Sequence, residues 1–333
     1  MLSNLKAKAF ELRKDVLDIV YRAKAGHIGG DFSVMDILVT LYYQQMKVSP
    51  AMAEDPDRDL FILSKGHSVE ALYAVLADRG FFPKEDLRTC SQFGSNYIGH
   101  PNNKVRGIEM NSGSLGHGLS VSIGMALGSR MSHRKNRVYT VMGDGELAEG
   151  SVWEGAMAAG HYKLDNLCAV VDRNRLQISG GTEEVMAQDS QEERWASFGW
   201  HVIHAVGNDM ISLTKAFNEA RDTKGKPSVI IAETIKGYGV SFMENNASWH
   251  HRIPTAEEYA LACEELKQRR EVAYSIEAGA PEVEGEAGAS SLTVNCDAST
   301  YEGNGCHMAE VLEQGIGNLT DKLTKAKEAA KNE

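Results

Sequence analysis

Between residues 138 and 233 the chain alternates short apolar runs with segments of helical spacing, and that alternation limits the fold more than any other feature. Val138 to Met142, Leu167 to Val171, His201 to Val206 and Ser228 to Glu233 read as strands. Ser151 to Gly160, Glu192 to Phe198 and Met210 to Arg221 read as helices between them. The strands lack the polar alternation of a sheet with one wet face, so both faces should be covered. The expected class is α/β, a parallel sheet flanked by helices. Ligands of such sheets sit beyond the carboxyl ends of the strands, so the chemistry should lie just after them.

The first hundred residues add elements to that frame. Leu5, Ala9, Leu12, Val16 and Ile19 recur at steps of three and four, which predicts an amphipathic helix over residues 4–24, ended by Gly26. A glycine-rich turn, Gly26-His27-Ile28-Gly29-Gly30, should follow, with Ser33 or Asp31 capping a helix through Leu41. Residues 59–64 are an apolar run ending in Lys65-Gly66-His67, followed by a helix from about Val69 to Asp78. Gly118 to Ser129 reads as a helix of small residues.

Charge narrows the function classes. Thirty-five basic against 46 acidic side chains leave a net charge of -11, which argues against a nucleic-acid partner. An anionic ligand must then be held by a metal, by backbone N–H groups or by a few placed cations. No run approaches the roughly eighteen apolar residues of a membrane span. Lys6, Lys8, Arg13 and Lys14 stand where a signal peptide would need an apolar core. Cys90, Cys168, Cys263, Cys296 and Cys306 show neither zinc spacing nor a paired framework. A soluble protein of a reducing cytoplasm, without membrane contact, is expected.

Two strand ends carry oxygen donors. Val138 to Met142 leads into Gly143-Asp144-Gly145-Glu146, and Leu167 to Val171 leads into Asp172-Arg173-Asn174-Arg175-Leu176. Gly-Asp-Gly alone is a turn signal. Neighbouring parallel strands, however, would bring Asp144 and Asn174 to one edge, as hard oxygen donors of the kind Mg²⁺ or Ca²⁺ selects. Histidines cluster in glycine-flanked loops: His27, His67, His100, His117 and, in Trp-His-His, His250. Neutral imidazoles can move protons between a hydroxyl or carbonyl and water at neutral pH.

Gly143-Asp144-Gly145 followed by Asn174 resembles the thiamine diphosphate-binding motif of transketolases and related enzymes. The order Gly26-His27, Ser64-Lys65-Gly66-His67, Gly99-His100-Pro101, Gly113-Ser114-Leu115-Gly116, Gly143-Asp144-Gly145 and Trp249-His250 resembles transketolases in particular, over roughly residues 5–260. The resemblance implies the thiamin diphosphate-binding fold, here its pyrophosphate-binding domain. It implies Mg²⁺ (or Ca²⁺ or Mn²⁺) on Asp144, Asn174 and the main-chain oxygen of Leu176. It implies cofactor contacts from His67, Gly113, Ser114, Leu115, Gly145, Glu146 and Asn174. His27, His67, His100 and His250 would be catalytic, meeting sugar hydroxyls or the diphosphate, and Glu149 and Glu154 match acidic positions that couple sites across a dimer. Ile28, Asp31, His117 and Arg175 depart from the family's usual residues, and Arg175 is given no ligand role.

The implied activity is a transferase of aldehyde or ketone residues, in carbohydrate metabolism of the pentose phosphate type. It moves a two-carbon ketol unit from a ketose, phosphorylated or otherwise anionic, to an aldose. The carboxyl group that meets the cofactor's pyrimidine lies, in this family, on a second domain. Three domains of organisation are expected: the thiamine diphosphate-binding domain over 1–274, an acidic flexible linker over 275–303, and a helical extension over 304–333. That leaves no second α/β domain, so the chain should be the diphosphate-binding subunit of a split transketolase, joined to a separate pyrimidine-domain subunit in a heterotetramer. The alternatives are the α-subunit of a 2-oxo-acid dehydrogenase decarboxylase component and a non-catalytic regulatory subunit. Among the enzymes, a synthase joining pyruvate to glyceraldehyde phosphate is a weaker alternative than the decarboxylase subunit, because it normally carries both domains in one chain.

Overall fold

Five strands hydrogen-bond in parallel in the computed structural model, which describes residues 2–278. They are β1 (Leu60–Leu63), β2 (Val138–Gly143), β3 (Leu167–Arg173), β6 (His201–Val206) and β7 (Ser228–Glu233). The spatial order is β1-β2-β3-β7-β6. Two short strands, β4 (Leu176–Gln177) and β5 (Gly180–Gly181), make an antiparallel hairpin directly after β3. All five sheet strands match the apolar runs, and the class is the expected one.

Alternate residues of each central strand feed separate cores. Tyr139 and Val141 of β2 join one cluster with Val170, Ile230 and the inner faces of α1 (Leu2–Ala23), α2 (Ile28–Thr40), α3 (Val69–Asp78) and α8 (Met210–Asp222). Val138 and Met142 join the other, with Ala169, Val171 and residues of α4 (Gly118–Met131), α5 (Gly150–His161) and α7 (Gln191–Ser197). Apolar side chains on both faces are why the central strands read as unbroken runs. The edge strand β6 differs, because His204 and Val206 are exposed. A single turn, α6 (Thr182–Val185), follows the hairpin, and α9 (Ala256–Ala278) returns Ala262, Leu266 and Ala273 to the first core.

Two boundaries depart from the sequence reading. The glycine-rich turn is the first turn of α2, which starts at Ile28 with His27 at its cap position. Close packing accounts for the glycines: a Cβ on Gly29 would stand 2.7 Å from the Trp249 carbonyl oxygen, and one on Gly30 2.8 Å from Ser68 Oγ. Ser33 and Asp31 therefore cap nothing in α2. Ser33 donates to the Gly30 carbonyl, and Asp31 accepts from the Ala71 amide in α3. At the other end the compact unit closes at Tyr274. Residues 275–278, expected to open the linker, finish α9. The remainder of the expected linker and the helical extension, residues 279–333, lie outside the described residues. Among the described residues, no helix is long and apolar enough to cross a membrane.

Candidate cofactor-binding site

β2 and β3 pair with Gly143 opposite Asp172, so Asp144 and Asn174 leave the sheet at one edge. The Asp144 carboxylate is 3% exposed and accepts from the amides of Gly145 (2.8 Å) and Arg175 (2.6 Å) and from the Thr182 hydroxyl (3.2 Å). The Arg175 bond ties the two strand tips together. Asn174 accepts from the Leu176 amide (3.2 Å) and donates to Ser33 Oγ (3.2 Å). The Leu176 carbonyl accepts from Lys236 Nζ (3.2 Å).

Burial, and then the charge of Asp172, push the Asp144 carboxyl above its usual range. A divalent cation would offset that cost. Carboxylate, side-chain amide and main-chain carbonyl are all hard oxygen donors, so the corner fits Mg²⁺ or Ca²⁺. Among the described residues, no cluster of three or more His, Cys, Asp or Glu could hold a metal; the set here instead mixes a carboxylate with a side-chain amide and a main-chain carbonyl. Arg175 adopts a left-handed backbone (φ +62°), which glycine would enter at less cost, and its side chain turns to Glu233 (3.1 Å).

The glycine loops are braced from below. Glu146 is 2% exposed and accepts from the amides of Gly116 (2.8 Å) and Gly143 (3.1 Å) and from the Ser64 hydroxyl. Its oxygens join loop 113–116 to the tip of β2. Gly113 has φ +132°, and a Cβ there would lie 2.5 Å from Cδ2 of His100. Ser114 is exposed and Leu115 half-buried, its carbonyl paired with the His117 ring (3.1 Å). A Cβ on Gly145 would stand 2.6 Å from Gln177 Oε1, so the hairpin packs against this strand end. Glu149 and Glu154 are both exposed at the start of α5.

His27, His67, His100 and His250 come from four separate segments and meet. Ring centroids lie 5.4 Å apart for His27 and His67, 6.0 Å for His27 and His100, and 5.6 Å for His27 and His250. Burial lowers all four pKa values. Neighbouring positive charges add to it for His27, held at about 4, and His250, at about 3. The rings are therefore neutral at physiological pH. Lys236 Nζ reaches His250 Nδ1 (2.8 Å) as well as the Leu176 carbonyl, and so bridges the imidazoles and the oxygen corner.

Three residues of the site escaped the sequence reading. His251, exposed, packs against His27 with ring centroids 4.7 Å apart. Lys236 and Asp172 are 1% and 0% exposed. Asp172 accepts from Lys65, from Ser33 Oγ (2.6 Å) and from Thr234. Both follow or end an apolar strand, the signal that could have found them.

Residues 5–266 match the thiamine diphosphate binding domain of transketolase. The chain belongs to the transketolase family. It is 48% identical over 270 residues to one of the subunits of the apulose-4-phosphate transketolase of Phocaeicola vulgatus, covering 81% of this chain and 96% of that one. Against the 6-deoxy-6-sulfo-D-fructose transketolase subunit SqwG of a Clostridium species, identity is 41% over 266 residues, 80% of this chain and 97% of that one. The crystal structure of transketolase from Campylobacter jejuni superposes with a TM-score of 0.71 at 25% identity, over 84% of this chain and 49% of that one. The transketolase match selects among the enzymatic alternatives and leaves the decarboxylase α-subunit without support.

Proposed function

We propose that this chain is the diphosphate-binding subunit of a two-subunit transketolase. It would move a two-carbon ketol unit from an anionic ketose to an aldose, using thiamine diphosphate and Mg²⁺. One observation carries the reading: through Lys236, the oxygen donors of two adjacent strand tips adjoin a cluster of neutral imidazoles, in a domain of this family. Two similar proteins named as transketolase subunits, one for a 4-phosphate and one for a 6-sulfo sugar, support both the split arrangement and the anionic substrate. The partner would be a separate pyrimidine-domain subunit, in a heterotetramer, and the exposed Glu149 and Glu154 would face it. We assign the enzyme to the cytoplasm and to pentose phosphate-type metabolism.

When bound, the cofactor supplies the electron sink that carries the two-carbon unit. The chain's own residues bind and orient. Asp144, Asn174 and the Leu176 carbonyl would hold Mg²⁺. Gly113 to Leu115 and Gly145 offer open backbone. Lys236 presents an ammonium, which only donates, so His250 Nδ1 accepts and Nε2 carries the proton. His250 thus offers a hydrogen-bond donor to a sugar oxygen. His27 Nδ1 is buried without a partner among the described residues and is free to accept one.

The test is an assay of the purified chain with thiamine diphosphate, Mg²⁺ and phosphorylated or sulfonated ketoses, alone and with a co-expressed pyrimidine-domain subunit. Ketol transfer should require the second subunit. Robust transfer by the chain alone ends the two-subunit reading, and calorimetry showing no cofactor binding with Mg²⁺ favours a non-catalytic role.

A further inference from the structure

Two carboxyl groups outside the cofactor corner are buried against each other. Asp31 in α2 is 0% exposed and Glu70 in α3 is 1% exposed. Asp31 Oδ1 accepts from the Ala71 amide at 2.9 Å, a first-turn N–H of α3 that has no partner inside its own helix. The Ala71 amide directly follows Glu70, so the Asp31 carboxyl sits at the start of α3 next to Glu70, and the charge of Asp31 acts on Glu70. Asp31 Oδ2 and Glu70 Oε2 are buried without a hydrogen-bond partner among the described residues. Ionised carboxylates only accept, so neither buried oxygen can satisfy the other unless the pair holds a proton.

We propose that Asp31 and Glu70 share one proton, and that the protonated pair clamps the start of α2 to the start of α3 and so sets the spacing of His27 and His67. Both carboxyls are positioning residues. His27 is the cap of α2, its carbonyl accepting from the Gly30 and Asp31 amides (2.9 and 3.1 Å). His67 lies two residues before α3, and the two rings are 5.4 Å apart. The backbone entering His27 passes directly over Glu70: Gly26 has φ +137°, and a Cβ there would lie 3.1 Å from Glu70 Oε1. Gly30 makes the matching contact on the other side, where a Cβ would stand 3.5 Å from the His67 ring.

The charged and titratable groups facing the pair are Lys65 after β1, Tyr73 in α3 and Cys90. Lys65 favours ionisation of Asp31, but burial outweighs it and holds that carboxyl at about 7, while burial and the charge of Asp31 raise Glu70 further. Tyr73 and Cys90 are themselves pushed upward, by burial first and by Glu70 in part. In the unfolded chain both acids ionise near pH 4. The pair's contribution to stability is therefore complete below about pH 4 and is lost as pH rises through about 7 and beyond. In Glu70→Gln the amide donates to Asp31 without a titrating proton of its own, so the part of that loss carried by Glu70 disappears.

The experiment follows the full chain by thermal unfolding and infrared spectroscopy, as wild type, Glu70→Gln and Asp31→Asn. The Tm of Glu70→Gln relative to wild type should climb with pH, and neutral wild type should show a protonated-carboxyl band that weakens in Glu70→Gln. Parallel Tm curves, or a wild-type spectrum without the band, overturn the shared proton. In the two-subunit enzyme, kcat/KM of wild type should fall on the alkaline side and that of Glu70→Gln should fall less. Asp31→Ala should lose tenfold or more at every pH, with Asp31→Asn restoring part. This last arm rests on the reading of the histidines as sugar contacts, whereas the proton count does not. Identical alkaline limbs alongside an intact carboxyl band overturn the positioning role alone.

Discussion

His250 is oriented through one ring nitrogen. Lys236 occupies its Nδ1, leaving Nε2–H as the group a ligand can use. Replacing His250 by alanine should lower kcat by about a hundredfold or more, the range of a lost proton-transfer group, while cofactor affinity measured by calorimetry stays nearly unchanged. Asp144→Asn should do the reverse, weakening Mg²⁺-dependent cofactor binding before it touches proton transfer. The placement of Asp144 and Asn174 at one sheet edge was legible because each follows an apolar strand, Asp144 between two glycines. Asp172 was not, since locally it is one acidic residue ending such a run. Its role exists only because Lys65, Ser33 and Thr234 arrive from three other segments. His251 looked like the duplicate of its neighbour, and only the fold places its ring against His27.

Loop 113–116 is held at the level of the element. Glu146 ties it to β2, and Gly113 lets its backbone pass against the His100 ring. Alanine at Gly113 needs a left-handed backbone that costs about 1–2 kcal/mol, and its methyl must displace His100. A lower Tm together with a tenfold or greater drop in kcat/KM is expected, since small misplacements cost rate steeply. A Gly113→Ala enzyme with normal Tm and kinetics would show the contact to be slack. The start of α2 teaches the complementary lesson. Gly-His-Ile-Gly-Gly is turn-like in sequence, yet helical, because those glycines answer to Trp249 and Ser68 across the interior rather than to local dihedral needs.

Over the whole molecule, two buried ensembles titrate in opposite senses. The imidazoles of His27 and His250 are held near 4 and 3, against about 6.5 in the unfolded chain. The unfolded state therefore takes up protons first, and stability present above about pH 6.5 is lost as pH falls toward 4. A fall of a few degrees in Tm over that acid range is expected, smaller in His250→Gln, and thermal melts across pH will measure it. The Asp31–Glu70 pair acts on the other flank, so the melting temperature should pass through a maximum between the two.

Local sequence determined the elements and the chemistry they could carry. Uninterrupted apolar runs specified strands buried on both faces, and oxygen donors just after them, one between glycines, marked where a metal and a diphosphate could be approached. Strand order was decided only by tertiary structure: β7 enters between β3 and β6, although β6 precedes it in the chain. Nothing within a strand encodes its neighbour, because backbone hydrogen bonds are common to every pairing and the choice falls to packing of the crossover helices. The same holds for the buried charges. Whether Asp31, Glu70 or Lys236 is solvated or sealed depends on what the rest of the chain lays over it, and that sealing is what shifts their protonation.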